Sequence, residues 1–266
     1  MATIAGPRPG YGRDDRFFLT MAIVFAVTVV AGFSLQVAMG RSTFAAPPLI
    51  HLHALVFFGW MTLYVAQNIF VTRGSAGLHR RLGWIGAIWA LVMVILGIFT
   101  TMTMVRRGAA PFFFQPAYFL VMNALSVLAF AGLTTAAIRL RRSTEWHRRL
   151  MFCGTAMLTG PAFGRLLPMP LMIPYAEWGV FAGVMTFPLI GVIADLRRRG
   201  AVHAAWWWGM GAMVAAQVAM TLIAHGPLGI AIYDAVTFGT PGASVAPLDF
   251  PPPPAGPLIT GGGASI

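Results

Sequence analysis

The sequence predicts an all-α fold, a polytopic transmembrane helical bundle of about seven spans with its N-terminus inside and its C-terminus outside. Three observations carry this expectation. The chain is 58% hydrophobic and only 9% charged, with a mean hydropathy of +0.77, outside the range of soluble domains. Apolar stretches long enough for a membrane helix, which needs ~20 residues, fall at 17–39, 49–72, 82–104, 116–138, 150–167, 176–196 and 204–224. The third observation is that the arginines gather on one side of these stretches.

Along the chain, residues 1–16 read as a cytoplasmic tail, 17–225 as the transmembrane domain, and 226–266 as a Gly/Pro-rich, mostly disordered outer tail. The first apolar run is longer than a signal-peptide core and six more follow, so it reads as a retained helix. Pro47-Pro48 open the second span, where the missing N–H of proline is no loss. Phe112-Phe113-Phe114 lie in an outer turn at the usual depth of an aromatic belt, and Trp206-Trp207-Trp208 mark the inner end of the last span by the same logic. Pro161 and Pro188 are expected to kink or open the fifth and sixth spans. Beyond His225, residues 228–238 suit a short interfacial helix, and the proline and glycine runs that follow lack the apolar area to order themselves.

All 18 basic residues are arginine, and the net charge is +11. Clustered arginine can serve nucleic acid by neutralising phosphates, but the distribution argues for topology instead. Arg8, Arg13, Arg16, Arg73, Arg80, Arg81, Arg139, Arg141, Arg142, Arg148, Arg149, Arg197, Arg198 and Arg199 fall inside. Arg41, Arg106, Arg107 and Arg165 are left outside or near it. The partner implied is a lipid bilayer with anionic headgroups, and no nucleic acid. Cys153 is alone in apolar context, which suits a packed thiol and excludes a disulfide framework.

One motif recurs: Leu78-His79-Arg80-Arg81-Leu82 and, 68 positions later, Trp146-His147-Arg148-Arg149-Leu150, each with an arginine six residues before the histidine (Arg73, Arg141). The recurrence sets two helix hairpins in one orientation. It fits a parallel repeat of the kind transporters use, and equally a chance recurrence of arginine at helix mouths.

Ionisable groups inside a span are costly and need a partner or a wet cavity. His53, Arg165, Glu177 and His225 share the outer level and form the candidate outer site, with Arg165 expected to pair with Glu177. At ~100° per residue, His53, Trp60, Tyr64 and Gln67 project from one narrow face of the second span. That stripe reads either as a buried polar seam bonding neighbouring helices or as the wall of a site for a small apolar or quinone-like ring. His51 and His53 point to nearly opposite faces of a helix, so no metal site is expected of them. A low-spin haem b needs two histidines at one depth in an apolar pocket; His53 with His225 outside and His79 with His147 inside are the candidate ligands. The inner pair also suits helix-capping or headgroup roles. No phosphate-binding glycine loop or Gly-x-Ser-x-Gly motif is present, and no catalytic residue is assigned.

The elements His51-Leu-His53, Trp60, Gln67, His79-Arg-Arg-Leu-Gly83-Trp84, His147-Arg-Arg-Leu-Met151 and Arg165 resemble an uncharacterised family of bacterial multi-pass membrane proteins, over about residues 50–170. The resemblance implies a bacterial inner-membrane location and brings no activity with it. In helix count and distributed histidines the chain is also similar to di-haem cytochromes of the b561 type. Two function classes follow: a cofactor-free small-ligand transporter, sensor or assembly partner, and a membrane electron-transfer protein binding b-type haem or quinone.

Overall fold

The computed structural model describes residues 11–253 and Gly256. The described residues form an all-α bundle of nine helices: α1 (Tyr11–Ala38), α2 (Pro48–Thr72), α3 (Ala76–Arg106), α4 (Pro116–Arg139), α5 (Thr144–Met157), α6 (Gly160–Leu166), α7 (Ala176–Arg199), α8 (Ala204–His225) and α9 (Pro227–Thr237). Proline occupies the first helical position of α2, α4 and α9, where it costs no hydrogen bond. Gly200 closes α7 at φ 70°, a left-handed cap that an L side chain would strain.

Six helices, α1, α2, α3, α4, α7 and α8, are long and apolar enough to cross a membrane. Their outward faces are apolar as well. On α3, Trp84, Ile88, Leu91, Ile95 and Phe99 are all exposed and recur at helical spacing along one face. A continuous stripe of this size marks a surface that meets lipid or another protein. The interior is built around α4, which packs against α3, α5, α8 and α9; α1 packs on α2 and α6.

Several expectations are corrected. The stretch 150–167 is not one helix: α5 stops at Met157 and α6 restarts at Gly160, because Pro161 removes a backbone donor just after the break. Gly32 permits this arrangement, since a Cβ there would lie 2.9 Å from the carbonyl oxygen of Ala162. By contrast α7 runs unbroken through Pro188. The segment expected to be a mostly disordered outer tail is ordered well past His225. Tyr233 of α9 is buried and donates to the Gly242 carbonyl at 2.9 Å, the Ala117 amide donates to Pro247 at 2.9 Å, and Gln115 donates to Leu248. A few buried contacts of this kind outweigh the composition bias toward disorder. The remaining tail residues, 254–255 and 257–266, lie outside the described residues, as do residues 1–10 of the amino-terminal tail. Finally, α1 begins inside the expected tail, because its first turns carry Asp14 and Asp15 into an ionic cluster.

That cluster joins α1, α5, α7 and α8 at one end of the bundle. Arg149 and Asp195 are both fully buried. Arg149 donates from Nη2 to Oδ1 at 2.7 Å and from Nε to Oδ2 at 3.0 Å, the two-point geometry that guanidinium and carboxylate share. Trp206 Nε1 and the His203 amide also donate to Asp195, at 2.9 and 3.3 Å. Around this pair, Arg148 bonds Asp14 at 2.8 Å and Glu145, and faces Asp15 at 3.6 Å. Arg198 bonds Asp14 at 2.9 Å. Arg199 bonds Asp14 and Glu145 at 2.8 Å. Glu145, expected from sequence to be solvated, is held by Arg148, Arg149 and Arg199. Trp206, expected at the interface, is fully buried against Gly191, where no side chain would fit beneath the ring.

A buried ion pair adds little over apolar packing, yet removing one partner strands a charge, at a cost of about 3–5 kcal/mol. Arg149→Ala and Asp195→Ala should each lower the unfolding free energy in mixed micelles by about that amount. The double replacement Arg149→Met with Asp195→Leu should recover most of the loss. If either single variant matches the wild type, the pair is not a structural anchor.

Candidate functional site

The α2 stripe is brought into the bundle interior. Trp60 and Tyr64 are buried. Trp60 meets Phe130 of α4 edge-on at 4.9 Å, and Tyr64 meets Phe25 of α1 at 6.0 Å. His53, one end of the stripe, stacks on Phe57 at 4.1 Å. Gln67, the other end, lies beside Gly83 at the start of α3. Three atoms of this one face, His53 Nδ1, Trp60 Nε1 and Gln67 Oε1, are buried with no hydrogen-bond partner among the described residues. His79 Nδ1, on the neighbouring α3, is in the same condition. Each such group costs about 1–3 kcal/mol when left unsatisfied.

The groups expected at the outer level form two clusters, not one. In the first, Arg165 is the charged group nearest His53 in electrostatic effect. Its guanidinium lies 4.1 Å over Phe33 and donates to the Pro161 carbonyl at 2.8 Å. In the second, Glu177 is within electrostatic range of His225 and Tyr118. Arg165 and Glu177 do not pair, because α6 turns Arg165 toward α1 while Glu177 lies toward α4 and α8. His225 is fully engaged: Nδ1 faces the Thr221 carbonyl at 2.8 Å and Nε2 faces Gln115 Oε1 at 2.7 Å. Tyr118 accepts from Gln217 at 2.8 Å alongside. Since α2 packs on α1 and α3 while α8 packs on α4, α5 and α7, His53 and His225 are not brought together.

His79 and His147 are brought together. His79 and His147 each occupy the first turn of their helix, four residues after a serine, with the histidine amide bonded to the serine carbonyl (Ser75 and Ser143, 3.1 and 3.0 Å). Their rings meet nearly perpendicular with centroids 6.1 Å apart. His147 Nδ1 is bonded to the Ala137 carbonyl at 2.8 Å, which leaves Nε2 with its lone pair. The remaining residues of the two motifs diverge: Arg80 and Arg81 are exposed, whereas Arg149 is the centre of the ionic cluster.

Burial, reinforced by the charge of Arg141 and opposed by the bond to Ala137, holds His147 below the ordinary 6.5. His203 is lowered too, by burial and then by the charge of Arg149. For Glu145, burial pushes upward but the bonds and charges of Arg148 and Arg149 outweigh it, so its carboxyl sits below 4.5. Among the described residues, no group of three or more His, Cys, Asp or Glu side chains is placed to hold a metal ion.

Sequence reasoning missed Asp195 and Arg149 as partners, and missed the polar cluster of Gln115, Tyr118 and Gln217. A carboxylate inside the last turns of an apolar span is the signal that could have found the first pair. Compared with families of known proteins, with curated proteins and with solved structures, the chain matches none.

Because the fold favours neutral imidazole at His147 and His203, their contribution is present above pH 6.5 and is lost as pH falls from there toward their lowered folded values. The contribution of Glu145 is lost only below 4.5. The melting temperature in detergent should therefore decline between pH 7.5 and 5, and His147→Gln should flatten that decline. An equal decline in the variant removes His147 from the account.

Proposed function

We propose that the chain is a seven-span inner-membrane protein, amino terminus inside, that takes a small neutral ring-shaped ligand of quinone-like chemistry along the α2 seam, as a carrier or sensor with no resident cofactor. The bilayer it sits in carries anionic headgroups on the arginine-rich face. The seventh crossing is α5 and α6 in tandem. Arg148 meets Asp14 near one end of α1, and the Arg165 carbonyl accepts from Gln36 at 3.0 Å near the other. Those α1 residues stand about 33 Å apart at 1.5 Å per residue, close to the ~30 Å of a bilayer core.

The observation that carries the ligand reading is the line of unpartnered atoms at His53, Trp60 and Gln67. Successive members are seven residues apart, about 10 Å along the helix, so a ligand satisfies them in turn and not all together. Trp60 Nε1 can only donate, so the ligand must offer an acceptor there. The walls are aromatic (Phe57, Phe130, Tyr64), and no charged side chain belongs to the stripe between its ends, which favours a neutral ring over an ion. Arg165 at the His53 end supplies charge only at the outer mouth.

Duroquinone titrated into the purified protein should quench tryptophan fluorescence saturably. Trp60→Phe keeps an aromatic ring but removes the donor, and should weaken binding roughly threefold to tenfold, the worth of one hydrogen bond of about 1 kcal/mol. Quenching that never saturates in the wild type would overturn this reading.

A second reading has its own observation. Two imidazoles on one metal place their ring centres about 6 Å apart, given metal–nitrogen bonds of about 2 Å, and His79 and His147 stand at 6.1 Å. The unpartnered Nδ1 of His79, and the carbonyl bond that orients His147 as ligand histidines are commonly oriented, suit two histidines that would hold a haem iron. A haem b held there would supply one-electron chemistry at the inner end. Dithionite-reduced protein from haem-replete cells should then show Soret and α bands that His79→Ala abolishes, and a featureless spectrum rejects this reading.

A further inference from the structure

A groove of about 500 Å³ runs between α1 and α7 at the end of the bundle that holds the ionic cluster. Its wall is apolar, with Phe17 at the base and Ile190 and Ile193 along α7, and Arg16, Arg197 and Arg198 stand at its rim. Ile190 and Ile193 are both exposed. The rim arginines differ in what they already hold. Arg198 is committed to Asp14 and lies 4.3 Å over the Phe17 ring. Four carboxylates (Asp14, Asp15, Glu145 and Asp195) face four guanidiniums (Arg148, Arg149, Arg198 and Arg199) in the adjoining cluster, which therefore balances itself. Arg16 and Arg197 are left over: both are exposed, and neither has an ion pair among the described residues.

We infer that this groove is a site for one anionic phospholipid of the inner leaflet. The lipid phosphate sits between Arg16 and Arg197, and the first carbons of an acyl chain lie along Phe17, Ile190 and Ile193. Charge complementarity selects this occupant, because two unpaired guanidiniums over an apolar trough match a phosphate carried on a hydrocarbon chain. From Arg197 to Ile190 the trough is two helical turns, about 10 Å long, which is the depth of a headgroup, glycerol and the start of a chain. A polar peptide has nothing to offer Ile190 and Ile193, and a free phosphate would leave them uncovered. The inference rests on the chain lying in a bilayer and is independent of the ligand proposed for α2.

The test is native mass spectrometry of the full chain released from micelles containing equimolar phosphatidylglycerol and phosphatidylcholine. Wild type should retain one phosphatidylglycerol in preference to phosphatidylcholine. Arg16→Gln with Arg197→Gln should reduce that preference about 25-fold, at about fivefold per arginine near a membrane surface. Arg80→Gln with Arg81→Gln, exposed arginines of the other His-Arg-Arg motif, should leave it unchanged, which separates a site from a general surface field. Thr20→Trp, which fills the trough with both arginines intact, should also expel the lipid, and added inorganic phosphate should not. Equal loss from the two arginine pairs, no loss from the first, or retention in Thr20→Trp would each overturn the inference. Loss of duroquinone binding would not touch it.

Discussion

The buried pair of Arg149 and Asp195 is the constraint on which the rest of the bundle depends. It fixes the start of α5 against the end of α7, and Trp206 and the backbone before α8 are tied to the same carboxylate. Once α5 is held there, His147 is carried to His79, and Arg148 is placed where the first turns of α1 must bring Asp14 and Asp15. Four helices thus owe their relative height to one salt bridge and the ring of charges around it. An ion pair gives direction and register that apolar packing between smooth helices does not, and this use of buried charge is better attested than any gain in stability.

The molecule treats its charges and its neutral polar groups differently. Charges in the ionic cluster are matched four to four, with Phe17, Phe18 and Trp206 beneath the guanidiniums. On α2 the buried atoms His53 Nδ1, Trp60 Nε1 and Gln67 Oε1 are left without partners among the described residues. That contrast within one bundle is why the α2 face, and not the richer ionic cluster, reads as the place where something binds.

Much of the fold was legible in the sequence, for identifiable reasons. Length and apolarity located six long helices, because the bilayer imposes a minimum that soluble helices seldom reach. Helical periodicity found the α2 face from His53 to Gln67, since 100° per residue is a local rule that tertiary structure did not disturb. What stayed hidden was pairing across the sequence. Arg149 and Arg81 occupy the same place in the same motif, yet one is wholly buried and the other exposed, because only one of them has a carboxylate waiting on a helix 46 residues away. The outer site divided for the same reason: Arg165 and Glu177 share a depth but face different neighbours, and depth was all the sequence supplied. The expected outer tail was misread because composition describes a segment by itself, whereas Gln115 and the Ala117 amide tie this one to the start of α4, more than a hundred positions earlier.

The long-range ties also bear on how the protein is made. Asp14 is synthesised 134 residues before Arg148 and 185 before Arg199, so its carboxylate meets these partners only after most of the chain has emerged. At the opposite end, the start of α4 is capped by Pro247 and Leu248, and the end of α3 by Val236 of α9. Both ends of the bundle are therefore fastened by residues translated late. The helices inserted first are held until then by neighbours alone, and a ribosome that stalled after α4 would leave a half-bundle with neither end closed, open to whichever quality-control protease surveys the membrane.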